Sequence, residues 1–185
     1  MDRICIIGRD PVPQFISLGE GESLSLTLFV PEGTDCKLSV EVNLDGPGAS
    51  LDLAGGWRCT GSEKVSLQVL VRHNVPGCTS RQLFKGVVGG SARASFDGLV
   101  YVAEGAMRTV AHQESHSLLL SSEAVCEARP QLEIYADDVE CSHGATTGYL
   151  NPEELFYMRS RGIPEDEARA IQTEAFLAPI LSRMK

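Results

Sequence analysis

The chain has 185 residues, of which 43% are hydrophobic, and it carries a formal net charge of −9. This hydrophobic content is enough for a sizeable core, so the composition excludes wholesale disorder. The acidic balance, with no stripe of lysine and arginine to reverse it locally, argues against a nucleic-acid partner. No segment approaches the roughly 20 apolar residues of a membrane span, and residues 1–10 lack the apolar core of a signal peptide. We therefore expect a cytoplasmic protein with no membrane partner.

Segments of alternating apolar and polar residues run from about residue 15 to about residue 150. They include SLSLTLFV (23–30), KLSVEVNL (37–44), ASLDLAG (49–55), KVSLQVLVRHN (64–74) and ARASFDGLVYVAEG (92–105). The two-residue period is typical of half-buried strands, and turn signals such as DGPG and VVGG lie between them. The strand starts recur at intervals of roughly 11 to 16 residues, which indicates an all-β sandwich or a β-solenoid, and so irregular a pattern leaves both open.

The first helical signals come just beyond the last predicted strand. Asn151 is a favourable N-cap and Pro152 suits the first helical position. Glu154 stands three residues after the cap, which is typical of a capping box. Gly162 is expected to end this helix.

A second helix is predicted from Pro164 onward, because the acidic residues that follow favour the first turn of a helix. We expect Pro179 to end or kink this helix. Its predicted apolar face consists of Ala168, Ile171, Ala175 and Ala178. The chain thus divides into a predicted β core over residues 1–150 and a helical segment over residues 151–185.

One Cys-x-His pair, Cys141 and His143, lies where the predicted strands give way to helices. Alternate residues of a strand point to the same face, so the thiol and the imidazole would stand side by side. These donors suit an iron–sulfur cluster, zinc or copper, and Gly144 would leave the imidazole approachable. Two donors cannot complete a tetrahedral site, so other ligands would come from elsewhere in the chain, from a cluster or from a second subunit. The alternative is a buried thiol beside a hydrogen-bonded histidine.

The remaining candidates for chemistry are weaker. His112 and His116 lie in a segment predicted to be extended, where they would stand about 13 Å apart and could not chelate one ion. His73 ends a predicted strand and receives no role. Ser142, next to His143, lacks the GxSxG context of a hydrolase nucleophile, and the segment GVVGG lacks the lysine of a phosphate-binding loop. The six cysteines show no CxxC spacing and are interpreted as free thiols.

Residues 129–171, RPQLEIYADDVECSHGATTGYLNPEELFYMRSRGIPEDEARAI, closely resemble the carboxy-terminal signature of the SufB/SufD scaffold proteins of iron–sulfur cluster assembly. The segments SRQLFKGVVGGSARASFDGLVYVAEGA (80–106) and SLLLSSEA (117–124) also fit. The resemblance therefore covers roughly residues 65–180, and the stretch before residue 60 matches only in its pattern of strands and turns.

Within that family the chain is more similar to the SufD type. Gly144 follows His143 where the SufB type has a glutamate, and no cysteine stands near Ser115, where the SufB type has one. The family is usually longer than this chain, so we expect the segments CIIGRD and FISL to cap an open amino-terminal end of the fold.

The resemblance implies a mainly β fold, a right-handed parallel β-helix followed by a short two-helix segment. It implies a homodimer, or a heterodimer with a SufB-like chain, in which His143 and Cys141 lie at the subunit interface as ligands of iron or of an iron–sulfur cluster. It also implies that the helical segment docks a SufC-like ATPase. The partner-binding residues expected on that segment are Leu155, Phe156, Arg159 and Arg161.

Two functions follow from this resemblance. The first is a non-catalytic scaffold component of iron–sulfur cluster assembly in the SUF system. The alternative is a structural interaction module of the same family that has lost cluster binding. An enzyme on a β-helix, such as a polysaccharide lyase, would need clustered acidic and basic residues along one face, and no such cluster is recognisable in the sequence.

Overall fold

The computed structural model describes residues 1–185 as eleven β-strands followed by two α-helices. The strands are β1 (Asp2–Ile6), β2 (Phe15–Leu18), β3 (Ser23–Val30), β4 (Cys36–Leu44), β5 (Ser50–Cys59), β6 (Lys64–His73), β7 (Thr79–Val88), β8 (Arg93–Val102), β9 (Thr109–Leu119), β10 (Val125–Ile134) and β11 (Val139–Tyr149). The helices are α1 (Pro152–Ser160) and α2 (Glu165–Leu181), and a short 3₁₀ turn, Ser182–Met184, follows them. No helix combines the length and the apolar character needed to cross a lipid bilayer.

The strands form two parallel sheets stacked as a solenoid. The odd-numbered strands make a six-stranded sheet in the order β1-β3-β5-β7-β9-β11, and the even-numbered strands make a five-stranded sheet in the order β10-β8-β6-β4-β2. Every pairing is parallel, and consecutive strands alternate between the sheets. The chain thus winds through about five turns of a parallel β-helix. The fold that the resemblance implied is confirmed, and the sandwich alternative is excluded because its hairpins would pair antiparallel.

The core lies between the two sheets and is built from every second residue of each strand. In β6 the buried inward positions are Val65, Leu67, Val69, Val71 and His73. Aromatic side chains fill the centre: Trp57, Phe84 and Phe96 are each at most 1% exposed. The ring centroids of Phe84 on β7 and Phe96 on β8 lie 4.2 Å apart, so the two sheets are joined by an aromatic contact.

Glu63 links the turns of neighbouring coils by hydrogen bonds. Its side chain is nearly buried, and its carboxylate accepts hydrogen bonds from the N–H groups of Gly33 at 2.9 Å and Gly61 at 2.8 Å. Burial alone would raise the pKa of this carboxyl, but the backbone donors outweigh burial and hold the pKa below its ordinary value. Gly90 approaches the same turn with φ of 56°, and a Cβ there would lie 2.6 Å from the carbonyl oxygen of Thr60. This position therefore requires glycine.

Helix α1 begins and ends where the sequence predicts. The Asn151 side chain accepts a hydrogen bond from the N–H of Glu153 at 2.9 Å, and Pro152 opens the helix. Gly162 adopts φ of 88°, in the left-handed region, and its N–H donates to the carbonyl of Arg159 at 2.9 Å. No residue of α1 is fully buried, so the helix is open to contact by another molecule.

Helix α2 packs on the outer face of the six-stranded sheet. Ile180 is fully buried and forms a small cluster with Phe29 and Ala54. Gly56 leaves room for it, since a Cβ there would lie 3.0 Å from Ile180 Cγ2. Burial of such a side chain contributes about 2 kcal/mol, so this contact fixes the helix on the solenoid.

Two details of α2 differ from the prediction. Of the two outcomes predicted for Pro179, an end of the helix is wrong: the helix continues to Leu181, because the burial of Ile180 holds the last turn in place. The buried residues of α2 are Ala168, Leu177 and Ile180, whereas the other members of the predicted apolar stripe, Ile171, Ala175 and Ala178, are exposed. Alanine buries little apolar area, so the larger leucine and isoleucine decide which face of the helix meets the sheet.

Candidate functional site at the open end of the solenoid

Cys141 and His143 lie on the inward-facing side of β11, the last strand of the six-stranded sheet. The register pairs Cys141 with Ala111 and His143 with Gln113 of β9, and both partners are fully buried. No strand follows β11 in its sheet, so the edge beside its inward residues is open: His143 is exposed and Cys141 is half-buried. The thiol and the imidazole therefore share one face at the carboxy-terminal end of the solenoid.

Cys141 borders a small apolar cluster formed by Val100, Val102, Ala106 and Ala111. Burial raises the pKa of the Cys141 thiol, a backbone hydrogen bond from Ala111 lowers it in part, and the charge of Glu140 raises it again. The pKa stays above its ordinary value, so the thiol is neutral at neutral pH. Cys141 would become a metal ligand only by losing its proton as the metal binds.

The open end is formed by β10 and β11, each at the edge of its sheet. On the outer side of each strand the backbone N–H and C=O groups have no neighbouring strand to pair with. Apolar side chains are exposed beside these edges, with Ile134 at 40% and Tyr149 at 65%. A long edge with exposed apolar neighbours is suited to cover by another chain.

A single chain does not supply a complete set of metal ligands. No three side chains of His, Cys, Asp or Glu are grouped closely enough to hold a metal ion. As donor types, the thiol of Cys141 and the imidazole of His143 fit iron or an iron–sulfur cluster. Two donors leave further coordination positions, which a second subunit or the sulfides of a cluster would have to fill.

The interior beneath His143 is polar, a feature that the sequence pattern alone did not reveal. Gln82 of β7, Gln113 of β9 and Ser115 of β9 are at most 1% exposed. Gln113 Nε2 donates a hydrogen bond to Gln82 Oε1 at 2.9 Å, while Gln82 Nε2, Gln113 Oε1 and Ser115 Oγ have no partner. The sequence did contain a signal for this polar interior: the three residues occupy inward positions of strands with an alternating pattern, where apolar residues are usual.

His112 and His116 face the outer side of β9, away from His143. His112 Nδ1 lies 2.7 Å from Ser142 Oγ, and His116 Nδ1 lies 2.7 Å from Thr146 Oγ1. Both contacts join register partners on β9 and β11. These histidines therefore connect the two last strands of the sheet, and Ser142 serves as a hydrogen-bond partner in that connection.

His73, to which the sequence assigned no role, is buried inside the solenoid. Its Nε2 lies 2.9 Å from Ser80 Oγ, and its side chain is fully excluded from solvent. Burial lowers the pKa of His73 to about 4. The ring is therefore neutral at physiological pH and belongs to the core.

Helix α1 and its C-cap, Arg161, carry the residues that the resemblance assigns to partner docking. Phe156 is 72% exposed, whereas Leu155 is half-buried. Arg159 forms an ion pair at 3.3 Å with the first residue of α2, and the guanidinium of Arg161 lies 5.4 Å from the ring centroid of Tyr157. The accessible surface of α1 thus carries two aromatic side chains, Phe156 and Tyr157, together with acidic residues in the first turn and Arg159 in the last.

The sequence of the chain also matches a known protein family. The profile of the family described as "SUF system FeS cluster assembly, SufBD core domain" matches residues 13–176. The chain belongs to the SufBD core family. Its match begins well before residue 65, so the amino-terminal coils belong to the family core together with the carboxy-terminal signature.

Individual relatives agree with this assignment. The iron–sulfur cluster assembly protein SufD of Escherichia coli is 36% identical over 157 residues, which are 85% of this chain and 37% of that protein. An iron–sulfur cluster assembly SufBD family protein of Synechocystis sp. is 42% identical over 111 residues, which are 60% of this chain and 24% of that protein. The iron–sulfur cluster assembly protein SufD of Bacillus subtilis is 40% identical over 99 residues, which are 54% of this chain and 23% of that protein. The chain spans less than half the length of each of these relatives.

Proposed function

We propose that this chain is a non-catalytic scaffold component of iron–sulfur cluster assembly that carries iron or a cluster at a subunit interface. The supporting observation is the position of His143, an exposed imidazole on the inward face of an uncovered end strand, two residues from a half-buried thiol. The inward positions of the preceding strand β9 are buried from Thr109 to Ser117. An inward donor pair at the open end supports coordination that is completed by ligands from a second subunit.

The proposed partner at the open end is a SufB-like chain, or a second copy of this chain. The unpaired edges of β10 and β11 and the exposed Ile134 and Tyr149 support a partner that continues the sheets and buries apolar area. A SufB-like partner is favoured by the incomplete donor set of this chain. The SufB type has a glutamate at the position of Gly144 and a cysteine near that of Ser115, so it would contribute donors that this chain lacks.

The proposed partner at the helical end is a SufC-like ATPase in the same cytoplasmic compartment. Helix α1 supports this role because none of its residues is fully buried and Phe156 is 72% exposed. Arg159, which pairs with Glu165, and Arg161, which lies over the ring of Tyr157, belong to the same short segment. An exposed aromatic residue with neighbouring arginines is the usual composition of an interface centre.

The experiment that tests the scaffold role is anaerobic reconstitution with ferrous iron and sulfide, in the presence of a SufB-like chain. We expect visible absorption and bound iron in the wild type and a clear loss of both in His143→Ala. The matched control is His116→Ala, which removes an imidazole from the outward face of the adjacent strand and should load normally. Equal iron content in all three proteins would refute the role of His143.

A second candidate function is an interaction module that has lost cluster binding. Gly144, Ser115 and the absence of a third donor in this chain favour it. In that case the chain would still bind the SufB-like chain and the ATPase, and no iron would appear in the complex beyond what the SufB-like chain binds alone. Measuring iron in the complex and in the isolated partner therefore separates the two functions.

A further inference from the structure

A pair of stacked side-chain amides lies in the interior next to His143. Gln82 and Gln113 are register partners on neighbouring strands, and Gln113 Nε2 donates to Gln82 Oε1 at 2.9 Å. This bond uses the nitrogen of Gln113 on the β7 side and leaves Gln113 Oε1 buried with no partner. A buried carbonyl oxygen without a donor is unfavourable, so we expect a donor on the opposite side, toward β11.

The space for the Gln113 amide is provided by Gly98 on the facing sheet. A Cβ at Gly98 would lie 2.6 Å from Gln113 Oε1 and 2.7 Å from Gln113 Nε2. Any other residue at this position would push against the amide. The amide is thus confined between Gly98 and Gln82, and its oxygen cannot turn to solvent.

His143 is the next residue in the same column of side chains. It is the register partner of Gln113 on β11, and both face inward. His73, His112 and His116 each have a side-chain hydrogen-bond partner, whereas the ring of His143 has none. The column therefore ends with an acceptor that lacks a donor beside an imidazole that lacks an acceptor.

The same two strands show that register partners can bridge this distance. On the outer face of β9 and β11, His112 lies 2.7 Å from Ser142 and His116 lies 2.7 Å from Thr146. The backbone spacing is the same for the inward pair. We expect that a rotation of the His143 ring about its own side-chain torsions can bring a ring N–H to Gln113 Oε1.

We infer that Gln113 is a positioning residue for His143. Its Oε1 accepts a hydrogen bond from one ring N–H, which fixes the tautomer and directs the other ring nitrogen, with its lone pair, toward the open end. For iron binding this inference rests on the proposed function. Metal-binding histidines commonly donate their second N–H to an oxygen, and loss of that oxygen weakens metal binding about 10- to 100-fold. The hydrogen bond itself forms without metal.

The test is the tautomer of His143 in the metal-free chain, labelled with ¹⁵N at histidine and observed by long-range ¹H–¹⁵N spectroscopy at alkaline pH, where imidazole is neutral. We expect one protonated and one unprotonated ring nitrogen in the wild type. Gln113→Met removes the acceptor at similar volume and should give shifts averaged over two tautomers. Gln113→Glu keeps an acceptor and should retain a single tautomer. The control Ser115→Ala removes a buried hydroxyl from the same face of β9, leaves the amide pair intact, and should leave the His143 signals unchanged.

Identical His143 spectra in the wild type and in folded Gln113→Met would overturn the inference. A mixture of tautomers in the wild type would also overturn it, so the test does not depend on the folding of a variant. Iron binding to the complex should weaken about tenfold or more in Gln113→Met relative to Ser115→Ala. The tautomer of His143 can depend on Gln113 even if His143→Ala leaves iron loading unchanged. In that case the positioning role stands and the proposed function fails.

Discussion

Gly86 of β7 lies directly against the indole ring of Trp57 of β5, its register partner. A Cβ built on Gly86 would overlap Nε1 and Cε2 of that ring. Trp57 is 1% exposed and is the only tryptophan of the chain. The largest side chain of the core therefore fits because the next coil has no side chain at this position.

Gly86→Ala is expected to lower the free energy of unfolding by about 2 kcal/mol, because the added methyl group must displace the buried ring. The measurement is urea denaturation followed by the emission of Trp57. Gly148→Ala is the matched control in β11, where a Cβ meets no heavy atom within 4 Å. Its effect should stay within about 0.5 kcal/mol. Equal effects of the two substitutions would contradict the close contact.

The buried His73 predicts a loss of stability in mild acid. Its pKa is lowered by burial from 6.5 to about 4, so the unfolded chain takes up the proton first as the pH falls. The stabilisation is complete above about pH 6.5 and is lost progressively toward pH 4. The difference of about 2.5 pH units corresponds to about 3 kcal/mol. Urea denaturation of the wild type and of His73→Gln across this range should give a clearly flatter pH dependence for the variant. Parallel curves would show that His73 does not contribute.

The attachment of α2 is expected to depend on Ile180. Ile180→Ala removes apolar contacts with Phe29 and should weaken the packing of the helix by about 3 kcal/mol. Hydrogen exchange of the backbone amides of residues 165–181 should then become faster, while exchange in the core strands stays slow. Ile171→Ala is the control on the same helix, since Ile171 is 44% exposed. Unchanged exchange in Ile180→Ala would contradict this anchor.

Docking of a SufC-like ATPase is expected to depend on Phe156 of α1. Phe156→Asp places a charge at the centre of the proposed interface and should weaken binding at least about tenfold by calorimetry. Phe15→Asp is the control. Phe15 is also an exposed aromatic residue, at 61%, and it lies on β2, the edge strand opposite to β10 in the five-stranded sheet. Full affinity in Phe156→Asp would move the docking surface away from α1.

The strands could be predicted from the sequence, but their pairing could not. Alternation in segments such as 64–74 reports that one face of a strand is buried, and it says nothing about the direction of the neighbouring strand. The choice of a β-helix over a sandwich came from the family resemblance. β1 (Asp2–Ile6) was not predicted, because its short apolar run does not alternate over a full strand.

The face shared by Cys141 and His143 follows from local geometry, whereas the amides beneath it do not. Residues two apart in a strand point the same way, so the pair could be predicted once a strand was assumed. Gln82 and Gln113 are 31 residues apart, and their contact depends on the length of a complete coil. Since the lengths of turns and strands vary along the chain, the register between coils could only be seen in the structure.

Hydrogen exchange in the complex with a SufB-like chain shows whether a second β-helix covers the open end. We expect the backbone amides of residues 139–149 to exchange more slowly on complex formation, while those of residues 2–6, at the opposite edge of the same sheet, do not change. A complex that leaves exchange in residues 139–149 unaltered would contradict the claim.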